Sequence, residues 1–223
     1  MKLKTPDNCL IVCNGEIDTR LLRKFFQLNL KEKKLSVFAA DGAANTLYKH
    51  KLVPDLITGD FDSIKPAALS YFKSKKVEIR KIFNQNRNDF DKALGFAISR
   101  QHRKISVLGA TGKRLDHTLN NLSILKQYHH MADIKLYDSE FEIFYTENKT
   151  EFTYPKGEVV SLIALAKAEK IKTKGLKYPL KDKSLEFGSR QGALNSSNAE
   201  TVSIETGKGE LLVFKKHFGK ITQ

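Results

Sequence analysis

Two short apolar runs in the first half of the chain end directly in carboxylates. Phe38-Ala39-Ala40 runs into Asp41-Gly42, and Leu56-Ile57-Thr58 runs into Gly59-Asp60-Phe61-Asp62-Ser63. If these runs are parallel strands, the acids stand at the carboxyl ends, where open α/β sheets bind their ligands. Asp60 and Asp62, at i and i+2 of an extended segment, project to the same side. Like charges gathered at a buried strand end need a compensating cation. Oxygen ligands with open positions suit magnesium, which keeps waters and takes its remaining ligands from phosphates. The plainer alternative is a helix entry, with Asp62 or Ser63 as N-cap ahead of Pro66. A paired Asp with Asp41 at a neighbouring strand end favours the metal.

A second constellation, Gly109-Ala110-Thr111-Gly112-Lys113-Arg114-Leu115-Asp116-His117, joins an apolar run to a helical stretch. Gly109 and Gly112 allow backbone amides to approach a phosphate at the positive end of the helix. Arg114 suits bidentate pairing with phosphate oxygens. This is not a Walker loop, because Val107 stands where the first glycine belongs and Arg114 where Ser or Thr belongs. Asp116 either orients Arg114 or reaches the metal, and an Arg114–Asp116 surface pair capping the helix is the alternative. His117 is expected to be a hydrogen-bonded structural histidine rather than a catalytic base. Asp89 opens a further helix, where the dipole alone favours a carboxylate. Only placement beside Asp60 and Asp62 makes it a third ligand.

The elements that must position these groups follow from periodicity. Apolar runs at 10–13, 35–40, 56–58 and 105–108 read as strands, and 21–30, 43–50, 66–75, 89–100 and 115–128 as helices. Strands alternating with helices predict a parallel sheet covered on both faces. Past residue 132 the pattern changes to closely spaced strand candidates at 134–137, 141–145, 159–164, 201–204 and 210–214, with turns at Pro155-Lys156-Gly157 and Gly207-Lys208-Gly209. The predicted class is α/β: a doubly wound, mostly parallel sheet domain over residues 1–148, followed by a smaller antiparallel β-sandwich domain over 149–223.

Composition narrows the function classes. Thirty-nine basic residues against 25 acidic give a net charge of +14, which suggests a polyanionic partner, either nucleic acid or a phosphorylated small molecule. The lysines are dispersed in short groups beside phenylalanines, with no zinc-finger spacing or RNP aromatic signature, so no specific nucleic-acid partner is expected. Cys9 and Cys13 match no metal or redox spacing and read as buried small hydrophobes. The apolar stretch after Asn8 breaks at Asn14-Gly15, too short for a signal peptide core, and no run has the length of a membrane span. The expected compartment is the cytoplasm.

Taken in order, Ala40-Asp41-Gly42-Ala43, Pro54 to Ser63, Asn88-Asp89-Phe90 with Lys92-Ala93-Leu94, and Gly109 to His117 closely resemble the thiamine pyrophosphokinases. Gly175-Leu176-Lys177-Tyr178-Pro179-Leu180, Ser197-Asn198 and the closing 207–214 resemble that family's thiamine-binding domain. The resemblance implies transfer of a diphosphate group from ATP to thiamine, magnesium as cofactor, and a homodimer with active sites between subunits. It implies Asp60, Asp62 and Asp89 as magnesium ligands, with Arg114 and Asp116 facing the phosphates. Asp41, Gly42, Gly109 and Gly112 fall to the ATP side, and Gln85, Ser197 and Asn198 to the thiamine side. Three departures stand out. Asn84 and Asn86 replace residues that are often acidic, Lys113 replaces a common glycine, and the chain has no tryptophan to stack on the thiamine ring. The alternatives are another magnesium-dependent phospho- or nucleotidyltransferase on the same scaffold, or a non-enzymatic thiamine or nucleotide binder.

Overall fold

A computed structural model describes residues 7–32, 35–84 and 86–221. The chain forms two compact units, one running through Ser139 and including the segment from Gly219 onward, the other Glu140–Phe218. The sequence pattern places the division at 148/149. It falls earlier because residues 141–146 pair antiparallel with a strand of the second unit.

In the first unit the strands are β1 (Asn8–Val12), β2 (Leu35–Ala40), β3 (Leu56–Gly59), β4 (Glu78–Lys81), β5 (Lys104–Leu108) and β6 (Asp133–Tyr137). They lie in the order β6-β5-β1-β2-β3-β4, and every pairing is parallel. The strand order reverses at β1, leaving a crevice between the carboxyl ends of β1 and β5. The helices are α1 (Thr19–Glu32), α2 (Ala43–Lys49), α3 (Pro66–Ser74), α4 (Asp89–Ser99) and α5 (Leu115–Tyr128). Alternate strand residues Leu10, Val12, Val37, Ala39 and Ile57 pack in one cluster with Leu22 and Phe25 of α1, Leu47 of α2 and Phe72 of α3. Phe38, of opposite parity, meets Phe96 of α4 on the other face. Both cysteines are buried, and burial pushes their thiols well above the usual range. Residues 134–137, expected with the antiparallel strands, instead form β6 beside β5. β4 escapes the sequence pattern because it is an edge strand, Glu-Ile-Arg-Lys, with no fully buried residue.

The second unit is a sandwich of two antiparallel sheets. Its strands are β7 (Phe141–Thr146), β8 (Lys149–Thr153), β9 (Val159–Ile163), β10 (Lys167–Lys174), β11 (Lys183–Glu186), β12 (Gly192–Ser196), β13 (Thr201–Glu205) and β14 (Leu211–Lys216). One sheet has the order β12-β9-β14-β7 and the other β11-β10-β13-β8. Phe144, Val160, Leu162, Leu211 and Val213 from the first pack against Ala168, Ile171, Leu185, Val202 and Ile204 from the second.

One polar network fixes α4 against α5. The Asp91 carboxylate, 8% exposed, accepts from the Tyr128 hydroxyl at 2.7 Å and pairs with Arg87 Nε at 3.3 Å. Arg87 Nη2 also donates to the Tyr128 oxygen at 2.8 Å. Burial and the Asp91 charge push the Tyr128 hydroxyl up to about 12. Tyr128→Phe removes the one hydroxyl that both ions share. It should cost about 1–2 kcal/mol in urea unfolding, with the far-ultraviolet circular dichroism unchanged. An unaltered midpoint would show that the network holds nothing.

Candidate active site

The register of β2 against β3 sets Ala40 opposite Thr58, so the residues that follow, Asp41 and Gly59-Asp60, leave the sheet side by side. Asp41 is 1% exposed and has a left-handed φ of 40°. Its amide donates to Thr58 O at 2.8 Å, and its Oδ2 accepts from the Ser63 amide at 3.0 Å. Its other oxygen, Oδ1, is buried with no partner among the described residues. Gly59 makes the approach possible. A Cβ there would lie 2.7 Å from the Asp41 Cβ and 3.3 Å from Asp89 Oδ1.

Carboxylate oxygens of Asp41, Asp60 and Asp89 lie within 4.8 Å of one another. Against them stands Lys92, whose side chain is 3% exposed and whose Nζ lies 3.1 Å from Asp89 Oδ1 and 3.4 Å from Asp60 Oδ2. The electrostatics divide accordingly. Burial, with the Asp89 and Asp62 charges adding and the Ser63 amide opposing, pushes the Asp41 carboxyl up to about 6. Burial and the neighbouring Asp60 and Asp62 raise Asp89 despite Lys92. For Asp60 desolvation is the largest single effect, but the Asp62 amide and Lys92 together outweigh it, and its carboxyl sits below the usual value. Three carboxylate oxygens so placed suit a hard divalent cation.

The extended geometry expected for Asp60 and Asp62 does not form. β3 stops at Gly59, and Phe61 turns to a φ of 69° between the two acids. Asp62 accepts from its neighbour Ser63 Oγ at 2.9 Å, and its side chain also lies against Asp41, with its charge acting on Asp41 and Asp89. Asp41 takes the third place in the oxygen cluster. Neither Asp62 nor Ser63 caps a helix, since α3 begins after Lys65 with no side-chain cap. Asn45 of α2 holds the loop, donating to Ser63 O at 2.9 Å and accepting from Lys65 N at 2.8 Å.

The second constellation faces these acids across the crevice. Gly15 N donates to Gly109 O at 2.7 Å and Glu16 N to Thr111 O at 2.8 Å, zipping the loop after β1 to the turn after β5. Gly109 has a φ of 70°, and a Cβ on it would lie 2.4 Å from Cys13 O. Asn121 of α5 donates to Ala110 O at 2.7 Å and accepts from Asn88 at 2.9 Å. Asn88 in turn caps α4 by accepting from Asp91 N at 2.8 Å. Arg114 and Asp116 form a two-pronged pair, at 3.1 and 2.5 Å, that is about two-thirds exposed. The arginine holds the Asp116 carboxyl down at about 2. Asp116 therefore orients Arg114 and is not part of the oxygen cluster. His117 is exposed at the rim. Asn14, Asp41, Gly42, Asp89, Gly112, Arg114 and His117 are among the walls of a cleft of about 280 Å³.

In the second unit, Ser197 is 3% exposed and its hydroxyl donates to Pro155 O, so it is committed to the fold. Asn198 is exposed, with its amide donating to Gly175 O at 2.9 Å. Gln85 lies outside the described residues. Sequence spacing gives no role to Lys92, Asn121 or Asn195. Asn195 clamps the Tyr178 backbone, accepting from its N and donating to its O at 3.0 and 2.8 Å. Lys92 alone had a legible signal, standing one helical turn from Asp89 on the same face.

Comparison with known proteins follows the division of the chain. Residues 27–137 match the family model described as thiamin pyrophosphokinase, catalytic domain, and residues 142–211 match thiamin pyrophosphokinase, vitamin B1 binding domain. Thiamine pyrophosphokinase 2 of rice (Oryza sativa subsp. japonica) is 28% identical over 92% of this chain and 87% of its own length. Thiamin pyrophosphokinase 1 of Caenorhabditis elegans is 27% identical over 88% and 84%. The crystal structure of thiamine pyrophosphokinase from Bacillus subtilis superposes with a TM-score of 0.81 at 22% identity, covering 94% of this chain and 98% of the other. The yeast enzyme superposes equally well, at 0.81 and 19% identity, over 96% and 87%. With both family models matched in order and together spanning most of its length, this chain belongs to the thiamin pyrophosphokinase family.

Proposed function

We propose that the protein transfers the diphosphate group of ATP to the hydroxyl of thiamine, giving thiamine diphosphate and AMP. The observation that carries this reading is the cluster of Asp41, Asp60 and Asp89 oxygens, of which Asp41 and Asp89 line one cleft with Arg114. Asp41 Oδ1, buried with no partner among the described residues, fits a cation, as does the all-oxygen donor set. Asp41, Asp60 and Asp89 would hold magnesium there, with Asp62 beside Asp41. Bound, the ion supplies positive charge against the phosphate oxygens of the nucleotide.

The rest is the work of this chain's own groups. Arg114, held in one orientation by Asp116, presents its guanidinium to the polyphosphate. The Gly109–Gly112 turn brings backbone close to it. The thiamine hydroxyl oxygen attacks the β-phosphorus, the bond from that phosphorus to the α–β bridging oxygen breaks, and AMP leaves. Such transfer needs in-line positioning more than covalent help. Asp116 is a poor acceptor for the hydroxyl proton, since its ion pair keeps it ionised down to about 2. The second unit is assigned to thiamine, supported by the family model it matches. Ser197 acts there by holding the Pro155 turn, and Asn198 presents its side chain outward. A homodimer is supported by apolar side chains left exposed on α5, Leu115 at 74% and Leu119 at 52%. A cytoplasmic location is consistent with the described helices, none of which is long and apolar enough to cross a membrane.

Incubation with ATP, magnesium and thiamine should release AMP and thiamine diphosphate. Release of ADP instead would mean transfer of a single phosphoryl group. Asp60→Asn and Asp89→Asn should each lower kcat about 100-fold or more, and near-normal turnover at saturating magnesium would remove the metal assignment.

Asp41 gives a pH test. Its carboxyl is raised to about 6, so the folded protein binds a proton that the unfolded chain, titrating near ~4, releases. Metal-free stability therefore rises as pH falls through 6. Asp41→Asn removes the buried charge and should stabilise the metal-free protein at pH 7.5 by about 1–2 kcal/mol. The gain should shrink to nothing below about pH 4, while the variant loses magnesium-dependent turnover. Equal midpoints at pH 7.5 in thermal melts would contradict the burial of charge at Asp41.

For the dimer, light scattering should give twice the chain mass, and Leu119→Asp should shift it toward the monomer. A wild-type mass of one chain would end that proposal.

A further inference from the structure

Lys113 occupies a position that the fold makes awkward for a side chain. Its φ is 55°, in the left-handed region that favours glycine, and glycine is what the family resemblance leads one to expect there. The strain is retained at the mouth of the cleft, between Gly112 and Arg114, where Lys113 forms part of the wall. Lys51, Lys76 and Lys170 share this φ region, so it is the contact made by Lys113, rather than its backbone, that marks the residue out.

The ammonium reaches back across the crevice. Lys113 Nζ donates to the Asn14 carbonyl at 2.6 Å, joining the turn after β5 to the loop after β1. Asn14 and Lys113 both line the cleft that holds the carboxylate cluster. The partner is a neutral carbonyl, and among the described residues no carboxylate pairs with this lysine. Other cations of the site differ. Lys92 is bound between Asp60 and Asp89, and Arg114 is gripped by Asp116. Lys113 is thus the cleft-wall cation whose charge is not matched by a protein anion. The backbone beside it is also open, as the amides of Gly112 and Lys113 donate to no carbonyl among the described residues.

We propose that Lys113 is a polyphosphate-binding latch: its ammonium holds the two loops together through Asn14 in the free protein and transfers to the phosphate chain of the nucleotide when that enters. The proposal rests on the function assigned above and adds a binding residue particular to this chain. The exchange is favourable because a charged phosphate oxygen is a stronger acceptor than a carbonyl. The long flexible stem of a lysine permits the move without shifting the turn. The contact lies on the β- and γ-phosphates, so AMP does not engage it.

Calorimetric titrations with magnesium and ATP, without thiamine, test this on the full chain. Lys113→Met keeps the stem and removes the charge, while Lys113→Gly restores the residue that the backbone prefers and guards against a folding defect. Both variants should bind ATP about tenfold more weakly than wild type. Lys113→Arg should keep most of the affinity, and AMP should bind all four proteins alike. Unchanged ATP affinity in both Lys113→Met and Lys113→Gly would reduce Lys113 to a strut between loops and overturn the latch, leaving the proposed activity intact. An equal loss for AMP and ATP would also overturn it, since the effect would then be on the nucleoside end. A wild-type protein that binds no ATP would defeat both the latch and the function on which it rests.

Discussion

Carboxylates whose oxygens stand within 4.8 Å of one another repel by between about 1 and 4 kcal/mol per pair, from bulk water to the dielectric of a protein surface. An exposed ion pair returns ~0–1 kcal/mol, too little to hold three such groups together. The structure meets the repulsion with a cation taken almost fully out of water: Lys92, 3% exposed, between Asp60 and Asp89. Its placement depends on α4, because Lys92 follows Asp89 by one turn of that helix. Asp41, deeper and out of Lys92's direct reach, is left with a raised carboxyl and an oxygen that has no partner among the described residues. The site is therefore stable but incompletely neutralised, which is the condition for binding a further cation.

Much of the surrounding structure keeps α4 and the turn after β5 in place for this purpose. The chain of contacts runs from the α4 cap at Asn88 through Asn121 of α5 to the Ala110 carbonyl. A shift of α4 would thus move Asp89, Lys92 and the glycine turn together. The Arg87–Asp91–Tyr128 network on the same pair of helices adds a second fixed point one turn along. Asn45 and the Ser63 amide serve the same end on the other side, holding the loop after β3 against Asp41.

What could be read from sequence follows the strength of each local signal. The first unit's helices and buried strands carry long apolar periods, and 115–128 was readable to the residue as α5. β10 was not. Its residues alternate Lys with small or apolar side chains, and a bulge between Ala168 and Ile171 breaks the period of two. With Lys170 at a φ of 55° inside the strand, the buried positions fall at 168, 171 and 173, a spacing that no strand pattern matches. In the site, residue types and strand ends pointed to Asp41, Asp60 and Asp62, because topology alone brings strand ends together, whereas Asp89 opens a helix and was reached only through the family resemblance. The course of the chain from Asp60 to Asp62 turned on the backbone of Phe61, whose left-handed φ has no sequence signal in a bulky aromatic. Asn121 and Asn195 were hidden for a different reason. A buried asparagine is defined by the partners that surround it, and those come from distant segments.

The basic surplus also has a physical account. On the sheet β11-β10-β13-β8, register places Lys172 opposite Glu205, and Glu205 opposite Lys149. Ser203 likewise stands between Lys174 and Glu151. Charges of opposite sign in neighbouring positions support strand pairing, and they interrupt the continuous positive track that a phosphate backbone needs. The outer strands of this sheet, β8 and β11, carry Lys149 and Lys183 at exposed positions, where a charged edge discourages pairing with another chain. Net charge is a sum over the surface and carries no information about arrangement. The informative cations are the ones that geometry singles out: Lys92 between two acids, Arg114 held by Asp116, and Lys113 on a neutral carbonyl at the mouth of the cleft.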